Sequence, residues 1–354
     1  MTITTIVPGN KGPTDWPGSA VKNILVTGGA GFIGSWMCHH LVHQYDEQYS
    51  VVCLDKLSNV STLKNLKSVL NRPNFHFVQG NLHDKEHLIK VMGEYNIDSV
   101  IHFAAESSVQ KSFCDPGAFV DMNVCATFRL LEAMNGYGKI IRFVHASTDE
   151  VYGETWGFSV DEDTRMNPTN PYAASKAAAE MFVMAYWKSF GIPSMILRCN
   201  NIYGPCQYPE KLIPKFALLA RSGQKLTIQG NGSRTRNFVH VADVIAAYDL
   251  ALHKGVPGGV YNVSSSDEVS VRDVATAVLR EFGHDIEKNF DEFIDSIPDR
   301  PYNDNDYVVK GDRLKELGWS QSVGFKEGLA DTVQWYRKNG DNWWKEALGN
   351  QIGV

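Results

Sequence analysis

Ser147-Thr148-Asp149-Glu150 and, further along, Tyr172-Ala-Ala-Ser-Lys176 hold the residues best suited to chemistry in this chain. On a helix, the spacing from Tyr172 to Lys176 puts both side chains on one face, one turn apart. A lysine ammonium beside a phenol lowers its pKa, so Tyr172 is expected to work as a base near neutral pH. Asp149 and Glu150 add two adjacent carboxyl groups. A simple alcohol oxidation needs only one base. A further acid and base suggest an oxidation coupled to removal of water.

Neighbouring residues of a regular strand point to opposite faces. Either the backbone bends after Thr148 and both carboxyls converge, or one of them is structural. From residue 22 to 200, apolar runs rich in Val, Ile and Phe recur, and strands are expected at Asn23–Thr27, Ser50–Asp55, Phe75–Gln79, Ser99–Ala104, Ile141–Ser147 and Ser194–Arg198. The runs are mostly continuous rather than alternating, as strands buried on both faces should be. Helical patterns separate them, near 33–43, 87–95, 118–134 and 173–190. Repeated strand–helix–strand units imply an α/β fold built on a Rossmann-type doubly wound parallel sheet over 21–200. After residue 200, short strands (226–229, 237–239, 260–263) mix with helices (213–222, 241–253, 271–282, 325–339). This reads as a smaller mixed α/β region, 201–354, mainly substrate-binding and either separate from the first domain or interleaved with it, capping the carboxyl ends of the sheet, where open α/β folds bind ligands. Residues 1–20, with three prolines, three glycines and no periodicity, read as a flexible tail; Trp16 is its one candidate for docking.

Gly28-Gly-Ala-Gly31-Phe32-Ile33-Gly34 directly follows the first strand and opens a helix. In that context the glycines permit a tight turn and let a pyrophosphate approach the helix N-terminus. Asp55 ends the next strand, 21 residues after Gly34. A carboxylate there accepts the adenosine ribose hydroxyls and repels a 2′-phosphate, which predicts NAD rather than NADP. Lys56 follows it directly. Asn81 and Leu82 are placed to meet the adenine, and Ala104 and Ala105 to let a cofactor lie close.

Composition narrows the partners. The net charge is −6 and no Lys/Arg block stands out, which argues against nucleic acid. No segment approaches the roughly 18 apolar residues that span a bilayer, and the N-terminus does not read as a secretory signal. Six cysteines form no CxxC pair and show no zinc spacing. They are expected as free thiols in a reducing, cytoplasmic setting, with no metal site.

Together with His102-Phe-Ala-Ala-Glu106-Ser107 and Ser147-Thr-Asp-Glu-Val-Tyr-Gly153, these motifs resemble the extended short-chain dehydrogenase/reductases. Within them the resemblance is to the nucleoside-diphosphate-glucose 4,6-dehydratases, over about residues 22–340. The Thr148-Asp149-Glu150 triplet is its most specific element. Asn200-Asn201-Ile-Tyr203-Gly-Pro205 and Pro209-Glu210-Lys211-Leu212-Ile-Pro214-Lys215 resemble the family's nucleotide-sugar loop. Arg234-Thr-Arg236-Asn-Phe-Val-His240 and Arg300-Pro-Tyr302-Asn303-Asp304 resemble segments that give arginines to the diphosphate. An arginine fork suits that task because it donates two parallel hydrogen bonds. Two departures stand out: Asn81 replaces a common acidic residue, and Ser107-Ser-Val-Gln110-Lys111 replaces a common His-Val-Asp-Arg pattern, which leaves the roles of Ser108 and Lys111 open.

The resemblance implies a mechanism. Tyr172 removes the proton of the sugar's 4-hydroxyl, Lys176 supports it and binds the nicotinamide ribose, and Thr148 bonds the 4-oxygen. Glu150 then takes the C5 proton and Asp149 protonates the leaving C6 hydroxyl. Ser107, Asn201, Lys211, Leu212, Arg236, Asn262, Arg300 and Tyr302 are expected to contact the substrate. Asn123 either positions the sugar or fixes the tyrosine helix. The later segments favour UDP-glucose over dTDP-glucose. A homodimer through the helices near 118–134 and 173–190 is implied, with Met181, Val183 and Met184 as candidate seam residues. Rival readings are a nucleotide-sugar 4-epimerase, which needs no Asp149/Glu150 pair, a UDP-glucuronate decarboxylase, and a non-catalytic NAD-binding regulator.

Overall fold

A computed structural model describes residues 21–344 of the chain. The expected tail over 1–20, with Trp16, and residues 345–354 lie outside the described residues. Seven parallel strands form the main sheet: β1 (Asn23–Thr27), β2 (Ser50–Asp55), β3 (Phe75–Gln79), β4 (Ser99–His102), β5 (Arg142–Thr148), β6 (Ser194–Cys199) and, later in the chain, β10 (Val260–Val263). Between them come β7 (Asn201–Tyr203), β8 (Leu226–Gln229) and β9 (Thr235–His240); β11 (Glu268–Ser270) and β12 (Ile294–Ile297) follow. The order across the main sheet is β10-β6-β5-β4-β1-β2-β3. Ile24, Leu25, Val26, Val51, Val52, Val100 and Ile101 are all completely buried. That double burial explains the unbroken apolar runs.

Helices cover both faces. On one side pack α1 (Phe32–Gln44) and, much later, α8 (Val241–Lys254), through Met37, Leu41, Ala247 and Ala251. On the other lie α2 (Lys85–Glu94), α5 (Ala126–Tyr137) and α6 (Pro171–Phe190), through Leu88, Leu130 and Val183. The short α3 (Val109–Cys114) and α4 (Pro116–Phe119) precede α5. A separate core joins α7 (Leu212–Arg221), α9 (Val271–Glu281) and α12 (Phe325–Trp343), which follows the short α10 (Ile286–Asn289) and α11 (Asp312–Glu316). β8 pairs with β12, and β9 lies between β7 and β11. No helix among the described residues is long and apolar enough to cross a membrane.

Val260–Val263 forms as a strand and interleaves the two regions: it pairs with β6 as the edge strand of the main sheet, through Val260–Ile196 to Val263–Cys199. Two expectations need correction. Residues 118–134 are not one regular helix: α4 runs into a π-helical turn, Val120–Cys125, before α5 begins. Val183 is fully buried and Met184 packs against the same core, which leaves only Met181, 61% exposed, facing outward.

The strand order reverses at β1 and β4, so the loops after them open a crevice at the sheet's carboxyl edge. Beside it, β5 ends at Thr148 and gives way to a 3₁₀ turn, Asp149–Tyr152. The Thr148 hydroxyl starts that turn by accepting from the Glu150 N–H at 3.3 Å. Gly153 ends it with φ +73°, and a Cβ there would stand 2.1 Å from the Asn167 carbonyl oxygen. Gly153→Ala should therefore lower stability by at least about 2 kcal/mol, from backbone strain and overlap together. An unchanged urea midpoint for that variant would contradict this reading of the turn.

Candidate active site

One cavity of about 990 Å³ runs from the glycine loop to the arginine segments, at the upper end of the size of ligand pockets. Its cofactor side holds Gly28, Gly31, Phe32, Ile33, Gly34, Asp55, Lys56, Asn81, Leu82, Ala104 and Ala105. The glycines are sterically required. A Cβ on Gly28 would lie 2.7 Å from the Ala104 Cα, and one on Gly34 would lie 2.2 Å from the Gly28 oxygen. The first turn of α1 carries no acidic residue and its N-cap, Gly31, no side chain, so its N–H groups are open to an anion. Asp55 is fixed by the Ala30 N–H at 3.0 Å on one oxygen and by the Leu57 N–H and Ser61 hydroxyl, 2.8 and 2.9 Å away, on the other. This cradle fits a dinucleotide whose ribose meets a carboxylate.

Thr148, Glu150, Tyr172 and Lys176 line the same cavity. The bend after Thr148 turns Glu150 into the wall, where the Asn170 amide donates to it at 2.9 Å. Asn170 also caps α6, accepting from the Ala173 N–H at 2.9 Å. Asp149 lies behind the wall, 2% exposed. It reaches the cavity through two wall residues, accepting from Asn200 Nδ2 at 2.7 Å and from the Thr148 hydroxyl at 3.2 Å. Burial pushes its carboxyl up to about 7, with the Glu150 charge adding to the shift and the Asn200 bond opposing it. The two carboxyls thus occupy different surroundings, as an acid and a base must.

The expectation for Tyr172 needs correction. Burial raises its phenol well above the ordinary value, the Glu150 charge raises it further, and the Thr148 hydrogen bond pulls it down only in part. Lys176 is itself lowered to about 8 by burial, against the charge of Glu180. Spacing along the helix aligns the two residues, but burial and the Glu150 charge govern the phenol.

Asn123 fixes the tyrosine helix. It is buried, and its amide is used up by the Glu106 backbone N–H and C=O and by the Ser175 hydroxyl at 2.8 Å, which donates onward to the Tyr172 carbonyl. A second chain holds the π-helical turn from below. Thr127 donates to the Asn123 carbonyl at 2.7 Å, so it accepts from His102 Nε2, and His102 Nδ1 accepts from Thr27 at 2.6 Å. Burial and the nearby Lys176 push the His102 imidazole down to about 3, so it stays neutral.

On the substrate side, Ser107, Asn201, Lys211, Leu212, Arg236 and Arg300 line the cavity. Lys211 donates to the Ser107 carbonyl at 2.5 Å, while Lys111 pairs with Glu210 at 2.8 Å and Ser108 caps α3. Arg236 and Arg300 both donate to Asn303 Oδ1, and Arg300 Nε is buried without a partner. Burial and the neighbouring Arg236 lower the Arg300 pKa. Arg236 also donates to the carbonyls of Thr235, Asp304 and Asn305, so Arg300, with its unpartnered Nε, is the guanidinium better placed to take an anion. Asn262 and Tyr302 do not line the cavity. Asn262 is fully buried between Tyr152, the Lys310 carbonyl and Glu162, and Tyr302 points out to Glu154 at 3.0 Å. Sequence reasoning missed Asn170 and Asn200; the Asn170-Pro171 start of a helix was the available signal for the first.

The family model for GDP-mannose 4,6 dehydratase matches residues 25–332. A dTDP-D-glucose 4,6-dehydratase of Mus musculus is 44% identical over 329 residues, 92% of each chain. A trifunctional UDP-glucose 4,6-dehydratase/UDP-4-keto-6-deoxy-D-glucose 3,5-epimerase/UDP-4-keto-L-rhamnose-reductase of Arabidopsis thaliana is 45% identical over 93% of this chain, which spans only 49% of that relative's length. The crystal structure of a dTDP-glucose 4,6-dehydratase from Streptomyces venezuelae, with NAD and TYD bound, superposes with a TM-score of 0.86 at 36% identity, covering 92% of this chain and 99% of the other. An NAD-binding type of sheet and a tyrosine–lysine helix define the class, the extended short-chain dehydrogenase/reductases. Within it, the chain belongs to the GDP-mannose 4,6 dehydratase family.

Arg300→Gln should weaken binding of uridine diphosphate on the order of tenfold or more, since a charge-assisted pair is lost. Titration calorimetry should show NAD binding unchanged; equal losses for both ligands would contradict the assignment.

Proposed function

We propose that the chain is an NAD-dependent nucleoside-diphosphate-glucose 4,6-dehydratase that converts UDP-glucose or dTDP-glucose to the 4-keto-6-deoxy sugar and water. The observation that carries this reading is the turn after Thr148, which puts Glu150 in the wall of the cavity of Tyr172 and Lys176 and Asp149 directly behind that wall, bonded to Thr148 and Asn200. A 4-epimerase has no use for that pair. When bound, NAD accepts a hydride from C4 and returns it at C6. Tyr172 takes the proton of the 4-hydroxyl; because burial and Glu150 oppose its ionisation, its basic form depends on positive charge in the cavity, which Lys176 supplies from the protein. Glu150, held by Asn170, takes the C5 proton made acidic by the C4 ketone and returns a proton to C5 as the hydride reaches C6. Asp149 gives its proton to the departing C6 oxygen, with the Thr148 hydroxyl as its link to the cavity. Arg236 and Arg300 hold the diphosphate.

We rank UDP-glucose first, on the segments around Tyr203–Lys215 and Arg300–Asp304. Overall identity does not separate the bases, at 45% and 44% for the UDP- and dTDP-named relatives. The product would feed an epimerase and reductase toward rhamnose or another deoxysugar. Six free thiols fit a reducing, cytoplasmic setting. A homodimer is supported by exposed apolar residues on α6 and in the π-helical turn, Met181, Phe182, Phe190 and Val120.

Mass-spectrometric analysis with both sugars in parallel should show loss of one water, faster from UDP-glucose. Conversion to the galactose isomer without mass change would instead establish an epimerase. The acid form of Asp149 is present below about pH 7 and is lost as pH rises through it. The rate kcat should therefore fall on the alkaline side, and further as Lys176 loses its proton above about 8. Asp149→Asn should lower kcat on the order of 10²–10⁴-fold, as loss of a general acid does. Full activity in that variant would rule out the acid role.

A further inference from the structure

The segment that carries Thr148, Asp149 and Glu150 is bonded at both ends to one buried ion pair. Glu180 follows Lys176 by one turn of α6, and Arg198 lies on β6; they are 2% and 5% exposed. Arg198 Nε lies 3.1 Å from both Glu180 oxygens, and Nη2 lies 2.7 Å from Oε2. Ser147, immediately before Thr148, donates its hydroxyl to Glu180 Oε1. Tyr152, the last residue of the turn, accepts from Arg198 Nη1 at 2.8 Å and donates to Asn262 Oδ1 at 2.8 Å. The guanidinium also lies over the Tyr152 ring, 4.8 Å from its centre.

A buried ion pair is weak evidence of net stability, because desolvation offsets the attraction. What it supplies is direction: a planar fork against a carboxylate fixes the groups around it. Neither residue lines the cavity, and the mechanism above uses neither. We propose that Glu180 and Arg198 are positioning residues that clamp Ser147 and Tyr152 and so hold the bend presenting Asp149 and Glu150. The inference rests on the dehydratase reading. Tyr172 and Lys176 share α6 with Glu180 but have further supports, through Asn123 and the Asn170 cap, that neither Ser147 nor Tyr152 makes. Loosening the clamp therefore slows elimination more than oxidation at C4.

Deleting either charge would strand the other, at a cost of about 3–5 kcal/mol. The test instead removes what the pair holds, by Tyr152→Phe and Ser147→Ala, in the full chain with UDP-glucose and NAD. Each variant should lower kcat on the order of tenfold or more, as slight misplacement does, with KM changed less than about twofold. Reduced nicotinamide should accumulate during turnover, seen by its absorbance, and should not in the wild type. Ser147→Ala carries the test alone if Tyr152→Phe does not fold. An unchanged kcat, or a lower kcat without reduced nicotinamide, overturns the clamp. A wild type that removes no water overturns the dehydratase reading, and the clamp with it.

Discussion

A strand cannot aim two successive side chains at one target, and the site depends on how this chain escapes that constraint. β5 is a regular parallel strand as far as Thr148, paired with β4 and β6. Only by leaving the sheet there can Asp149 and Glu150 approach one cavity. The escape is tightly specified: a threonine hydroxyl opens the turn, a glycine with positive φ closes it, and Ser147 and Tyr152 anchor it on either side. The sheet's carboxyl edge supplies the crevice, and the turn decides what chemistry the crevice holds.

Burial sets the electrostatics more than pairwise charge does. It raises Asp149 and Tyr172, lowers Lys176, and keeps His102 and His145 neutral beneath them. A proton is therefore stored on Asp149, which would be ionised in water, and the lysine is easier to discharge than usual. Glu150 differs by facing the cavity with an amide donor beside it. Two chemically similar carboxyls are separated in this way by depth, without any metal-binding cluster among the described residues.

The first three strands and the glycine loop were legible because buried parallel strands write themselves as unbroken apolar runs, and because only glycine fits where Gly28 meets Ala104 and Gly34 meets Gly28. The tyrosine–lysine helix was legible through its spacing. Val260–Val263 reads as a strand, but its partner does not follow from its own residues, since pairing across 64 residues is decided by the whole sheet. The break at Val120–Cys125 was hidden because its cause is tertiary: Asn123 and Thr127 hold the turn against α6 and His102. Asn262 and Tyr302 belong to segments that do carry site residues, yet one faces inward to Tyr152 and the other outward to Glu154. Motif position does not report side-chain direction. The sign of the Tyr172 shift was likewise out of reach, because it depends on depth.

The central claim is that one enclosed site oxidises C4, eliminates water and returns the same hydrogen to C6. Its most direct test is to supply UDP-glucose carrying deuterium at C4 and to locate the label in the product by NMR. The account predicts deuterium in the C6 methyl group of a 4-keto-6-deoxy product. Label retained at C4, or lost to solvent, would contradict it.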